Sequence, residues 1–162
     1  MTVGANRTDR HKLILYSVAA LSLLAALIHL WVMPEHLEEW WGYGTFFLGA
    51  AIAQGLYSAA LLRSPHRPLL LPLGIGGNLL IVALYLATRT VGVPIFGPDA
   101  GEVEEVGFID LSATMSELAI VLTLGAVMLR DLSPQRRNLV LLILAIAILS
   151  LGHLLHLLLR AS

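Results

Sequence analysis

Long apolar runs broken by short clusters of charge and turn residues set the pattern of this chain. Five stretches, at about 12–33, 44–62, 69–88, 107–129 and 138–159, each approach or exceed the roughly 20 apolar residues that cross a bilayer core. Between them lie two polar loops, Arg63-Ser64-Pro65-His66-Arg67-Pro68 and Arg130-Asp131-Leu132-Ser133-Pro134-Gln135-Arg136-Arg137. A longer linker over 90–106 holds Gly92, Pro94, Gly97, Pro98 and Gly101, a composition for turns. The pattern predicts an all-α integral membrane protein, a five-transmembrane-helix bundle forming a single domain over 1–162.

Pro34 follows the first run directly and is expected to end or kink that helix near Met33. The segment from Pro34 to Trp41 would then restart as a short interfacial helix with Pro34 at its first position. Trp31, Trp40, Trp41 and Tyr43 mark a membrane interface at this end of the chain's first hairpin. The run from Leu13 to Met33 is too long for the apolar part of a signal peptide and lacks a small-residue cleavage site, so it is expected to be a retained span.

Charge placement predicts the orientation. The N-terminal segment with Arg7, Arg10 and Lys12, the 63–68 loop and the 130–137 loop carry eight of the ten Lys and Arg residues. The opposite side carries Arg89 and Arg160 with Glu35, Glu38, Glu39, Asp99, Glu102, Glu104 and Glu105. By the positive-inside rule the N-terminus is cytoplasmic and the C-terminus outside. The expected location is the cell inner (cytoplasmic) membrane of a bacterium or archaeon, an inference from size and simplicity.

Composition agrees. The chain is 57% hydrophobic and 13% charged, whereas a soluble domain carries about a quarter charged residues. Absence of cysteine excludes disulfides, thiolate metal sites, iron–sulfur ligation and cysteine nucleophiles. There is no internal repeat. Membrane lipid is the expected surrounding, and nucleic acid is not an expected partner.

Candidate chemistry begins at the acidic side. His29, Met33 and, if the helix survives Pro34, His36 share one face, with Glu35 beside them. In the fifth run His153 and His156 are spaced i, i+3, with Ser150 one turn deeper. Convergence of these two helix ends would make a metal site for copper or iron, since imidazole binds both and a thioether favours copper(I). It would equally make a haem b site with one axial histidine from each of two helices, drawn from His29, His153 and His156. The alternative is that each histidine is a hydrogen-bonded packing residue, and that Glu35, Glu38 and Glu39 form a solvated face.

A second set lies deeper. Asp110, Thr114 and Glu117 repeat at i, i+4 and i+7 in the fourth run, and Gln54 and Asn78 should reach the depth of Glu117. A carboxyl at mid-membrane costs roughly 2.5–3.5 kcal/mol on insertion scales, so Glu117 is expected to face the bundle interior. It reads either as a proton relay or as a neutral, protonated group that ties helices together through Asn78 or Gln54. Arg89 could pair with Asp110 or the Glu102–Glu105 group, or clamp an anion. The run Gly74-Ile75-Gly76-Gly77-Asn78 lacks a phosphate-loop context and marks close helix packing or a flexible point.

Three functions fit these residues. One is a redox or metal-handling protein with its site near the outer surface, a proton route through Glu117, and an extracytoplasmic redox or metal-carrier partner. Another is a small proton-coupled transporter or channel component, working as a homo-oligomer and using Glu117, Gln54 and Asn78. The last is an accessory membrane subunit without a cofactor. No HExxH or GxSxG motif supports a hydrolase.

Overall fold

The computed structural model describes residues 3–93, 97–140 and 142. Every regular element among them is helical: α1 (Val3–Glu39), α2 (Trp41–Arg63), α3 (Leu70–Thr90) and α4 (Phe108–Asp131). All four are long and apolar enough to cross a membrane. Positions 134–140 and 142 are also helical, while most of the fifth run, with Ser150, His153 and His156, lies outside the described residues. The chain divides into two compact units, Met1–Gly125 and Ala126–Ser162, and the candidate site described below lies in the first.

Helix α1 departs from expectation at both ends. It starts at Val3 rather than near residue 12, because extending a helix already nucleated by the apolar run needs no new nucleus. It also stays helical through Pro34 to Glu39, so α1 does not end near Met33 and no separate helix restarts at Pro34. Proline cannot bond the Leu30 carbonyl, but Leu30 and Pro34 both lie on an exposed face, so one bond is lost without loosening the packed side. Beyond it, Leu37 packs on Gly44 so closely that a Cβ there would lie 2.5 Å from the Leu37 Cβ. That contact holds the last turns of α1 against α2. The reversal needs only Trp40, whose extended backbone (φ −164°, ψ 135°) caps α2.

Buried positions on α1 recur at Leu15, Val18, Ala19, Ser22, Ala25, Ala26, His29 and Val32, a single helical stripe. Its small residues let α2 approach along its length. On α2 the matching face is Gly44, Ala50, Ala51, Gln54, Tyr57, Ser58 and Leu61. Leu15, Val18, Ala19, Tyr57, Leu61, Leu70, Ile120 and Leu124 close the core at the far end from Trp40. The outward faces carry Leu23, Leu27, Leu56, Leu73, Leu80 and Leu122, a surface that suits hydrocarbon.

Helix α3 ends where Gly92 takes φ 68°, a left-handed conformation that glycine adopts without strain. The segment after it turns at Gly97 and Gly101, as its composition predicts. It is tied back to α3 by Glu104 N–H donating to the Thr88 carbonyl (3.1 Å) and Gly101 N–H to that of Val93 (3.1 Å). In the second unit the expected 130–137 loop contracts to residues 132–133, because Pro134 suits the first position of a helix and opens the next stretch.

Candidate functional site

Four buried polar side chains from four helices meet in the middle of the first unit. Gln54 on α2 donates from Nε2 to Oε1 of Glu117 on α4 (2.9 Å) and reaches Oδ1 of Asn78 on α3 (3.4 Å). Asn78 in turn donates to the carbonyl of Gly74 (2.7 Å), one turn back in its own helix. His29 on α1 completes the group, with Nε2 3.7 Å from Oε1 of Glu117. That separation suits an ion pair but is too long for a hydrogen bond. His29 is 4% exposed and Glu117 1% exposed.

The surroundings fix these groups from behind. His29 Nδ1 lies 2.8 Å from the Ala25 carbonyl, which accepts its proton. The neutral ring therefore presents an unprotonated Nε2 to Glu117. Ser22 donates to the backbone carbonyl of Gln54 (2.9 Å) and Ser58 to that of Ala19 (2.8 Å), so α1 and α2 are pinned on both sides of the amide. Tyr57 donates to the Leu70 carbonyl at the start of α3 (2.9 Å). Gln54 Oε1 is buried beside the His29 imidazole, without a hydrogen bond of good geometry.

Glu117 and His29 form the floor of a cavity of about 730 Å³. Its walls carry Trp40, Trp41, Tyr43, Phe46, Phe47 and Tyr85, and its mouth carries Glu39, Asp99, Glu102, Glu104, Glu105 and Asp110. Phe47 packs beside two histidines of α1, with ring centroids 5.7 Å from His29 and 4.1 Å from His36. Arg89 sits at the rim, where it pairs with Glu104 and with Asp110 (2.9 Å). Its guanidinium also lies over the Tyr85 ring, 5.0 Å from the centroid. The arrangement joins an acid-lined, partly aromatic vestibule to a buried carboxyl and imidazole.

The structure brings together Gln54, Asn78 and Glu117, and adds His29 to them. Asp110 and Thr114 line the same cavity above Glu117, but the Thr114 hydroxyl bonds its own helix at the Asp110 carbonyl (3.0 Å). His36 lines the wall, and its Nδ1 is held by the Val32 carbonyl (3.1 Å). Glu35 is exposed and does not line the cavity; neither does Met33. Among the described residues no three His, Asp or Glu side chains are grouped so as to hold a metal ion. His153 and His156 lie outside those residues.

Ser22 and the link between His29 and Glu117 escaped the reading of the sequence. Ser22, His29 and His36 are spaced by seven, so they mark one polar stripe facing the other helices, and that spacing is the signal that would have found them.

No family model, curated protein or solved structure matches this chain.

Proposed function

We propose that the chain is a multi-pass membrane protein of the proton-coupled transport class, in which Glu117 and His29 exchange a proton with the vestibule above them. The observation that carries this reading is the cavity floor. A carboxyl 1% exposed faces an imidazole nitrogen at 3.7 Å, and both line a cavity whose mouth is exposed carboxylates. Among the described residues no Lys or Arg is paired with Glu117. Its charge is balanced by a proton, either on its own oxygen or on His29 Nε2.

Gln54 suits both protonation states. As placed, its amide N–H₂ serves the carboxylate, while its Oε1 lies beside the His29 imidazole without a well-formed bond. Turning the amide over would offer Oε1 to a protonated carboxyl that now donates. A small rotation or a bridging water closes the 3.7 Å gap between imidazole and carboxyl. In the full reading five spans place the N-terminus in the cytoplasm and the vestibule outside, in an inner membrane, within a homo-oligomer.

Labelling with a hydrophobic carbodiimide, which reacts with protonated carboxyls in lipid, tests this reading. Glu117 should label at low pH and lose reactivity as pH rises, and Glu117→Gln should abolish the adduct mass. Labelling that is absent or insensitive to pH would contradict it.

One observation favours a second reading, a copper or haem site. His29 and His36 both hold Nδ1 on a carbonyl of their own helix, which leaves Nε2 of each for coordination. Such a site requires ligands beyond these two, since no third ligating side chain joins them among the described residues. Elemental analysis of the protein purified in mild detergent separates the readings, because near-stoichiometric copper or iron belongs only to the second.

A further inference from the structure

The vestibule has a chemistry more specific than proton access. Its six mouth carboxylates, Glu39, Asp99, Glu102, Glu104, Glu105 and Asp110, share the lining with one guanidinium among the described residues, that of Arg89, which leaves five negative charges in excess there. An acidic mouth alone attracts any cation. The walls discriminate further. Six aromatic side chains line the same space, and a strongly hydrated metal ion gains nothing from them. A weakly hydrated organic cation gains from both the ring faces and the field. The volume of about 730 Å³ falls within the range of small-molecule sites.

Arg89 shows how such a cation would be held. Its planar, weakly hydrated head lies 5.0 Å from the centroid of the Tyr85 ring while bonded to Asp110 (2.9 Å) and Glu104. It is a tethered cation occupying one aromatic–carboxylate seat of the vestibule. Beside it the Tyr85 hydroxyl is buried and has no hydrogen-bond partner among the described residues. From the seat, the cavity continues past Ala113 and Thr114 to Glu117.

We infer that the vestibule binds a monovalent organic cation, a quaternary ammonium or protonated amine bearing apolar groups, on Tyr85 and the Trp40–Phe47 wall. This rests on the proton-exchange reading of the same cavity and supplies its substrate class. The cation competes with Arg89 for the ring and the carboxylates, and its charge displaces the proton held between Glu117 and His29. No covalent step is involved: one cation enters and one proton leaves.

The test uses benzyltrimethylammonium and its neutral isostere, 2,2-dimethylpropylbenzene, on the full chain in mild detergent. Tryptophan fluorescence reports binding, and a pH dye in weak buffer reports proton release. The cation should quench fluorescence saturably, and the isostere should not. Tyr85→Leu should weaken binding by about tenfold, the scale of a partly desolvated cation–π contact. Arg89→Gln should tighten it several-fold by vacating the seat. Equal binding of the isostere, or indifference to both variants, would overturn the inference. Saturable binding without proton release would leave the cation site standing and remove the proton-exchange reading. Glu117 that labels with the expected pH dependence in a protein that binds no cation would remove the inference alone. If Tyr85→Leu fails to fold, the comparison of cation with isostere on the unaltered chain decides.

Discussion

His29 Nε2 faces Glu117 Oε1 across 3.7 Å, joining the first helix of the bundle to the fourth at the floor of the cavity. The contact matters because each group would be costly alone in a low-dielectric interior. Together, with Gln54 donating to the same oxygen, they form a site where one proton has two places to rest.

Removal of the Gln54 amide should loosen the bundle. Gln54→Leu deletes the bonds to Glu117 and Asn78 and leaves a buried carboxyl short of a donor. The expected cost is about 1–2 kcal/mol, the upper range for a side-chain bond between membrane helices. Thermal unfolding in detergent would show it as a lowered Tm. Gln54→Asn, too short to reach both partners, should fall between.

Two glycines of α3 should respond unequally to alanine. A Cβ at Gly74 would overlap the Tyr57 hydroxyl and come 2.7 Å from Leu124 Cδ1, whereas a Cβ at Gly77 meets open space. Gly74→Ala should destabilise by about 1–3 kcal/mol as overpacking does. Gly77→Ala should stay within about 0.5 kcal/mol of the parent. In a Tyr57→Phe background the Gly74 substitution should cost less, a coupling that a double-mutant cycle would measure.

Arg89 should couple unequally to its two carboxylates. Its side chain is 10% exposed, that of Asp110 24% and that of Glu104 47%. The Glu104 pair should be worth no more than the about 0.2–1 kcal/mol of an exposed ion pair, and the Asp110 pair more. Double-mutant cycles with Asp110→Asn and Glu104→Gln would rank them. Arg89→Gln should also speed hydrogen exchange in the 97–106 segment, because one of its anchors to α3 is gone.

The orientation is open to direct measurement because the chain has no cysteine. Ser64→Cys and Glu102→Cys each introduce a single thiol at opposite ends of α3. A membrane-impermeant maleimide added to intact cells should label position 102 and spare position 64 until the membrane is opened. The reverse pattern would place the N-terminus outside.

The helices were legible because hydrophobic runs of membrane length constrain the answer strongly; α2, α3 and α4 fall within three residues of their expected bounds. Local rules failed where tertiary contact overrode them. Pro34 predicts a break, but packing of Leu37 on Gly44 carries α1 past it. Gln54, Asn78 and Glu117 are readable as a set, since a polar side chain in the middle of an apolar run is expected to point inward. The sequence pattern groups His29 with Met33 and His36 on one helical face at the acidic side. Only the extension of α1 to Glu39 moves His29 nearly three turns inside the helix end, to the depth of Glu117. The aromatic–acidic vestibule joins residues from every connection at that end of the bundle, so no single stretch of sequence reveals it.

Proton exchange at Glu117 is the central claim, and infrared difference spectroscopy across a pH step tests it most directly. The account predicts a carboxylic-acid carbonyl band that appears as pH falls, is absent in Glu117→Gln, and changes frequency in His29→Gln. A spectrum unchanged between the parent and Glu117→Gln would show that the carboxyl takes no part in proton exchange and would contradict it.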